Sequence, residues 1–286
     1  MATLLIGYDV EWGHDLVRPT RRNVVTEEFL RVAAPLHNEL QAPCTLFVCG
    51  QTLVNSADAF RRARDLAGEL WDFQQHTYSH VLLKTICFRG DKGMEVVRGG
   101  TLESIRVEVR KASRALREHL DVSCPGLCGP YGYYRGLSDR PDILEILHEE
   151  GVRFTRTYAR NAEDGQPVDM DIQPFWYDAQ GLSDMLEFPV QGYQDLYLRG
   201  KVGWGNQQGY LDEIDATLDH VAQHDLAWGY AQHDWSSIRE DSTMEITRRL
   251  IEHARARDIA VRTYHDYYQE QLSLRGSPKK AVIKHE

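Results

Sequence analysis

The sequence lacks the features that mark several large classes of protein. None of its apolar runs approaches the roughly 18 consecutive residues that a transmembrane helix needs. The first apolar run, Leu4-Leu5-Ile6, reaches Asp9 and Glu11 too soon to form the core of a secretory signal. We therefore expect a cytoplasmic protein with no membrane partner.

Cysteine pairs and clustered basic charge are also scarce. The five cysteines are odd in number and show no paired CxxC spacing, which argues against a disulfide framework and a thiolate zinc site. Asp and Glu number 43 against 33 Lys and Arg, giving a net charge of −10, and no basic block is longer than a pair such as Lys279-Lys280. Nucleic acid is therefore not expected as a partner.

The length and composition fit a folded globular chain. With 42% hydrophobic and 27% charged residues, the sequence is close to the average for such proteins. Its 286 residues allow about two ordinary domains or one large α/β barrel. Because no linker-like stretch interrupts the chain, we expect a single domain over residues 1–275 and a loose tail over residues 276–286.

A short apolar run, a loop and a stretch of helical periodicity recur along the chain. This order predicts parallel strands at 3–8, 44–48, 70–75, 126–128, 154–157, 186–190, 226–232 and 259–264. Helices are predicted from residue 26, over 57–70, 102–116, 141–150, 211–224 and 243–257, with a capping box at Ser242 and Glu245. Residues 191–210 have little periodicity and are expected to form a long loop over a site. Seven or eight such units indicate an α/β barrel.

Acids and histidines follow several of the predicted strands. In a parallel barrel the carboxyl ends of the strands meet at one face, where active sites lie. The residues at these ends are Asp9 and Glu11, His76 and His80, Gly129-Pro130-Tyr131, Arg156, and His233-Asp234. Histidine nitrogens and carboxylate oxygens are ligands for a divalent metal of a hydrolase.

An HxxxH pair alone is weak evidence for a metal site. A second pair, His220 and His224, lies on a predicted helix but outside the apolar stripe of that helix. No carboxylate occurs at a spacing that would complete a metal site with this pair. We interpret this second pair as part of a solvated face. His76 and His80 are the stronger candidates because Asp9, Glu11 and His233 are expected at the same face.

The ordered motifs resemble a known family. Asp9-x-Glu11, His76-Thr-Tyr-Ser-His80, Gly129-Pro130-Tyr131-Gly132 and the late His233-Asp234 are similar to the motifs of the polysaccharide deacetylase superfamily (NodB homology, carbohydrate esterase family four). The resemblance spans residues 3 to about 270. It implies a distorted (β/α)7-8 barrel.

The resemblance also implies roles for individual residues. Glu11, His76 and His80 would hold one divalent metal ion, with zinc favoured and other transition metals open. Asp9 would be the general base and His233 the general acid. The backbone N–H of Tyr131 would stabilise the oxyanion.

Two positions depart from the family pattern. The arginine that usually orients the base is replaced by Cys128, and the acidic fourth motif is absent from residues 155–160. We hypothesise that Arg156, at the end of the next predicted strand, reaches Asp9 instead. The alternative is that Arg156 is an ordinary exposed loop residue.

Aromatic residues near the predicted strand ends are candidates for binding a sugar ring. Such residues are just as often ordinary packing. The candidates are Trp12, Tyr78, Tyr133, Trp204 and Trp235.

These observations predict a metal-dependent amidohydrolase acting on C–N bonds other than peptide bonds. The favoured reaction removes an N-acyl group, with acetyl preferred, from a small amino-sugar-containing substrate. The alternatives are hydrolysis of a cyclic ureide or imide, as in allantoinase-like members of the superfamily, or a binding protein that has lost catalysis. Self-association into a homo-oligomer is left open.

Overall fold

The computed structural model describes residues 1–11, 22–90 and 93–276. The strands are β1 (Thr3–Val10), β2 (Cys44–Val48), β3 (Trp71–Gln75), β4 (Ile86–Gly90), β5 (Gly93–Val97), β6 (Gly126–Tyr134), β7 (Phe154–Arg160), β8 (Phe175–Tyr177), β9 (Leu182–Glu187), β10 (Ala227–His233) and β11 (Ala260–Arg262). The helices are α1 (Arg22–Leu40), α2 (Gly50–Asn55), α3 (Ala57–Ala67), α4 (Leu102–Leu120), α5 (Pro141–Glu149), α6 (Asp195–Val202), α7 (Gln207–His224), α8 (Asp234–Arg239), α9 (Glu245–Arg255) and α10 (Tyr264–Gly276).

Seven parallel strands form the central sheet in the order β10-β1-β2-β3-β6-β7-β9. The short β8 pairs antiparallel with β9 at one end, and β11 pairs with the first residues of β1. This confirms the predicted α/β, barrel-like fold. The barrel is not closed by hydrogen-bonded strands, however, because β9 and β10 share no ladder in the part of the chain described.

The gap between β9 and β10 is bridged by the side chain of Gln191. Its amide oxygen accepts from the Gly229 N–H at 2.8 Å, and its amide nitrogen donates to the Ala227 carbonyl at 2.9 Å. These are the two contacts that a peptide group of a neighbouring strand would make. The approach is close because Gly229 has no side chain: a Cβ there would lie 2.5 Å from the Pro189 carbonyl oxygen.

Alternation along β1 decides which residues face the site. Leu4, Ile6 and Tyr8 point outward into the main core, where they pack against the surrounding helices. Leu5 points inward, and the period of two places Asp9 and Glu11 on the same inner side. The sequence prediction that both acids face the site is therefore correct in its geometry.

The inner space of the sheet is filled with side chains rather than open. Leu5, Phe47 and Phe154 meet Tyr264 and Tyr268 of α10 in a buried cluster. This cluster forms an apolar floor, so the accessible part of the interior lies above it at the carboxyl ends of the strands.

Two local predictions were wrong, and one element was missed. The capping box at Ser242 and Glu245 does not form; the Asp241 carboxylate accepts from the Glu245 and Ile246 N–H groups instead. Residues 191–210 are not a long loop, since they contain α6 and the start of α7. The antiparallel β4–β5 hairpin was not predicted.

Two further expectations concern the ends and the surroundings of the chain. The tail predicted after residue 275 begins in α10, and residues 277–286 lie outside the described part. None of the described helices is long and apolar enough to cross a membrane.

Candidate active site

Glu11, His76 and His80 converge at the carboxyl ends of β1 and β3. The His80 Nε2 lies 2.6 Å and the His76 Nε2 3.6 Å from Glu11 Oε2. One ligand atom from each residue lies within 4.8 Å of the others. Burial alone would raise the pKa of Glu11, but the charge of His80 and hydrogen bonds from both histidines outweigh it and lower that pKa well below its usual range.

The surroundings of His76 fit a metal ligand. Its Nδ1 lies 2.9 Å from the Cys128 carbonyl oxygen, which can only accept a hydrogen bond. Nδ1 therefore carries a proton, and Nε2, 3.6 Å from Glu11 Oε2, is the ring atom that would bind a metal ion once it is deprotonated. Two imidazole nitrogens and one carboxylate oxygen form a donor set suited to zinc and similar cations, with room for further ligands.

Asp9 is held by Arg156, as predicted from the sequence. The Arg156 Nη2 donates to Asp9 Oδ1 and also to Cys128 Sγ at 3.0 Å. Arg156 is buried and its guanidinium lies over the Phe47 ring, 4.5 Å from the centroid. Gly7 makes room for it, because a Cβ at Gly7 would be 2.9 Å from Arg156 Nη1.

Asp9, His76 and Cys128 form a second group of donor atoms within 4.8 Å of one another. A cation there would face the Arg156 guanidinium, which already donates to Asp9 and Cys128. Repulsion between the two positive charges disfavours this position. Glu11, His76 and His80 are the better candidate set.

His233, at the end of β10, is oriented by Asp195. The His233 Nδ1 is 2.8 Å from Asp195 Oδ1, and the His233 backbone N–H donates to Asp195 Oδ2 at 2.8 Å. Burial alone would lower the pKa of His233, but the Asp195 charge and hydrogen bond outweigh it and raise the pKa to about 10. The His233 Nε2 faces Glu11 Oε1 at 3.9 Å.

Asp195 was missed by sequence reasoning. It is the first residue of α6, in the glycine-containing stretch that was expected to be a loop. Its carboxylate also accepts from the hydroxyl of Ser236, three residues beyond His233. No local motif marks it, because its partners are about 40 residues away in sequence and meet it only through the fold.

One cleft of about 580 Å³ is lined by Asp9, Glu11, His76, His80, Arg156 and His233. Tyr131 lies on its wall, half-buried, with a backbone φ of 72°. The ladder between β6 and β7 is irregular between Cys128 and Tyr133, so the backbone around Tyr131 leaves the regular pairing and turns toward the cleft. Much of the remaining wall is apolar, formed by Leu82, Ile86, Phe88, Val97, Val190 and Leu196.

The predicted aromatic residues differ in their position relative to the cleft. Trp235 lines the cleft, and Trp204 stacks on it with ring centroids 6.1 Å apart. Tyr133 is wrong as a substrate contact, because it is buried and its hydroxyl accepts from the Leu83 and Lys84 N–H groups. Tyr78 does not line the cleft; its ring lies against Gly50. Trp12 lies outside the described residues.

His220 and His224 lie on α7 with ring centroids 4.4 Å apart. No group of three metal-ligating side chains among the described residues includes them. His224 is exposed and His220 is half-buried.

Residues 22–154 match the family model for polysaccharide deacetylase. This segment, a little under half of the chain, is similar to the polysaccharide deacetylase family. The matched segment contains His76, His80 and Tyr131. Asp9, Glu11, Arg156 and His233 lie outside it, so their placement in the site is a result of the structure.

Solved structures share this fold. A protein from Mycobacterium smegmatis assigned as a polysaccharide deacetylase has a TM-score of 0.68 at 17% identity, covering 99% of this chain and 94% of its own. Puue allantoinase has a TM-score of 0.67 at 14% identity, covering 96% and 91%. A carbohydrate esterase family four pseudoenzyme from Bacillus anthracis has a TM-score of 0.56 at 12% identity, covering 93% and 65%. No curated protein sequence matches the chain.

Proposed function

We propose that this chain, folded as one domain over residues 1–275, is a metal-dependent hydrolase that removes an N-acyl group from a small amino-sugar-containing substrate, acetyl being the preferred acyl group. The similarity of residues 22–154 to the polysaccharide deacetylase family supports a hydrolase acting on C–N bonds other than peptide bonds. One observation carries the proposal: a possible metal-ligand set, a carboxylate base and a carboxylate-oriented histidine all face the same cleft.

Glu11, His76 and His80 would hold the divalent ion, for which zinc is the proposed identity. When bound, such an ion would acidify water and polarise the acyl carbonyl. Members of the family generally use a divalent metal, and the donor set present here fits one.

Asp9 is the proposed general base. Its carboxylate faces the cleft while Arg156 holds one of its oxygens, which fixes the direction in which the other can accept a proton. The proton would come from the water that attacks the acyl carbon. The backbone N–H of Tyr131 is the proposed donor to the developing oxyanion.

His233 is the proposed general acid. Asp195 holds its Nδ1, so the Nε2 proton points toward Glu11 and the cleft. Because the Asp195 charge favours the protonated ring, His233 can donate a proton to the leaving nitrogen at neutral pH. Donation to nitrogen is needed because expulsion of an unprotonated amide anion would be too costly.

The test couples metal content with acetate release. We expect one divalent ion per wild-type chain and acetate released from an N-acetylated amino sugar. Replacing both His76 and His80 with Ala should remove most of the metal and the activity, whereas His220→Ala/His224→Ala should change neither. Full metal occupancy without His76 and His80 would contradict the proposed site.

A second reaction is favoured by the apolar wall of the cleft. Leu82, Phe88 and Leu196 offer little to the hydroxyls of a sugar, which makes a cyclic ureide or imide a reasonable alternative substrate. The same residues would hydrolyse a C–N bond within the ring. The acyl and amine parts would then remain joined in a single open-chain product. Acetate release from an open-chain N-acetyl compound separates the two reactions, and failure of both would favour a binding protein that has lost catalysis.

A further inference from the structure

Arg160, at the end of β7, is a buried cation that faces the active-site cleft. Its side chain is 5% exposed, yet it lines the same cleft as Asp9 and His233. Its Nε donates to the Tyr131 carbonyl at 3.3 Å, and its Nη1 donates to the Asp164 carbonyl and the Tyr197 hydroxyl. Three of the five guanidinium N–H groups are thereby used.

The Nη2 group of Arg160 has no partner among the described residues. Nε and Nη1 of Arg156 are also unpaired, and they are fully enclosed by the protein. The Nη2 atom of Arg160 is not fully enclosed. The unpaired N–H groups of Arg160 are therefore reachable from the cleft. Arg156, in contrast, is committed to Asp9.

No described carboxylate forms an ion pair with Arg160. Asp164 contacts Arg160, but through its backbone carbonyl oxygen and not through its carboxylate. The guanidinium instead lies over the rings of Tyr131 and Tyr197, 3.8 and 5.2 Å from their centroids. A buried charge without an acidic partner is costly, and it gains most from an anion supplied from outside.

The position of Arg160 suits recognition of a group remote from the reacting bond. It follows Arg156 by four residues on the same strand, which separates their backbones by about 13 Å. The half-buried Gln194 also lines the cleft; its N–H donates to Gln166, and Gln166 donates to the Ala159 carbonyl beside Arg160. Its side-chain amide can provide a second polar contact on the same wall.

We propose that Arg160 binds an anionic group of the substrate, a carboxylate or a phosphate, at the far end of the cleft from the acyl group. This inference rests on the proposed function and narrows it: the preferred substrate is an acidic N-acyl compound. The apolar wall then packs the body of the substrate while Arg160 fixes its charged end through two N–H groups.

The test compares three probes that share one N-acetyl group. N-acetylglucosamine is neutral, N-acetylmuramic acid adds a carboxylate, and N-acetylglucosamine 6-phosphate adds a phosphate. Binding of each is measured by calorimetry to metal-loaded Asp9→Asn protein, in which turnover is expected to stop. Acetate release is measured separately with the protein that retains Asp9.

We expect one acid to bind more tightly than the neutral sugar, and the identity of that acid distinguishes carboxylate from phosphate. Arg160→Gln should weaken binding of that acid by about tenfold to a hundredfold, the usual effect of losing a charge-assisted hydrogen bond. Arg160→Lys should recover part of the affinity, because it restores the charge without the planar pair of donors. Arg135→Gln, which removes an exposed charge outside the cleft, should change nothing.

Two results would overturn the proposal. One is equal binding of all three probes. The other is an equal loss of affinity for all three in Arg160→Gln, which would mean that Arg160 only supports the backbone of Tyr131. If no probe releases acetate but acid binding still depends on Arg160, the proposed deacetylation is wrong and the anion site stands.

Discussion

Asp9 and Arg156 form a buried ion pair whose geometry matters more than its net contribution to stability. Removing two charges from water offsets much of their attraction, so such pairs contribute little to the free energy of unfolding. The contribution of Arg156 is to orient the Asp9 carboxylate. Its guanidinium is confined between the Phe47 ring and the space left by Gly7, so the Asp9 carboxylate has one preferred orientation.

Arg156→Lys is therefore expected to lower kcat with little change in metal content. A Lys retains the charge but cannot donate to Asp9 and Cys128 from one planar group. Because a general base typically contributes about 10²–10⁴-fold, we expect a misoriented base to lose about tenfold or more. Steady-state kinetics with metal analysis checks this, and Arg153→Lys, in the approach to the same strand, is the matched control. A kcat equal to that of the wild type would remove Arg156 from the mechanism.

The Asp195–His233 pair leads to a prediction about pH. In Asp195→Asn the ring loses the negative charge that outweighs its burial, so the pKa of His233 falls from about 10. The protonated acid is then lost at a lower pH, and the basic limb of the kcat profile moves to lower pH. We also expect kcat to fall by about tenfold to a hundredfold at neutral pH.

The pH profile of Asp195→Asn is measured beside that of Asp212→Asn, an exposed position on α7. Metal content should stay at the wild-type level in both variants. A profile of Asp195→Asn that overlaps the wild-type profile would show that Asp195 is a structural partner only.

Individual elements differ in how well the sequence predicted them. β1, β2 and α4 carry clear apolar periodicity and were located closely. α6 was missed because Gly200 and Gly203 and its mixed composition obscure any stripe, and with it the role of Asp195 was missed. At α9 the Asp241 carboxylate, four residues before the helix, accepts from the first N–H groups, and Met244 directly before the helix adopts a left-handed conformation.

The site was predictable where it follows strand ends and unpredictable where it depends on distant contacts. His233 ends β10, His76 directly follows β3, and His80 was recognised by its spacing from His76. Arg156 could be proposed from a gap in the family pattern, since strand β7 neighbours β6, which carries Cys128. Arg160 and Asp195 had no such signal, because their significance comes from burial and from partners that only the fold supplies.

The C-terminal turn of α1 contains a buried histidine that makes stability depend on pH. His37 Nδ1 is 2.8 Å from the Ala42 carbonyl oxygen, and its Nε2 is 2.9 Å from the Tyr8 hydroxyl. Both contacts are satisfied by the neutral ring. Burial lowers the pKa of His37 from 6.5 to about 4, against a smaller opposing effect of the Ala42 hydrogen bond.

We therefore expect His37 to reduce stability as the pH falls from 6.5 to 4. Between pH 6.5 and pH 4, His37 is protonated in the unfolded chain but stays neutral in the folded chain. The stabilisation that the neutral ring provides is therefore complete above pH 6.5 and is lost toward pH 4. At 1.36 kcal/mol per pKa unit, the loss is about 3 kcal/mol. Urea unfolding over this range should show a shallower pH dependence for His37→Gln than for the wild type. The exposed His224→Gln should follow the wild-type curve; identical slopes for all three would refute the prediction.

At the scale of the whole molecule, the open seam of the barrel is held by side chains. The curved sheet leaves the edge of β10 facing residues 188–191, where a closed barrel would have a strand ladder. Gln191 provides the missing peptide-like pairing with Ala227 and Gly229, and Gln173 accepts from the Ala227 N–H at 2.8 Å. The seam matters for the site because β10 carries His233 at its end, while Asp195 follows Gln191 by four residues.

Gln191→Leu should therefore destabilise the protein and also disturb the histidine side of the site. Gln191 is completely buried, and the Leu side chain is of similar size but leaves the Gly229 N–H and the Ala227 carbonyl without partners. At about 1–3 kcal/mol for each of these two buried groups, we expect a loss of about 2–6 kcal/mol in the free energy of unfolding by urea. Gln208→Leu, on the exposed surface of α7, should stay within about 0.5 kcal/mol of the wild type.

If Gln191→Leu unfolds at the wild-type urea concentration, the seam is held by packing alone. If the predicted loss is seen, kcat at temperatures well below the unfolding transition tells whether the seam also aligns His233 with Asp195: a fall in kcat without loss of metal is the result we expect.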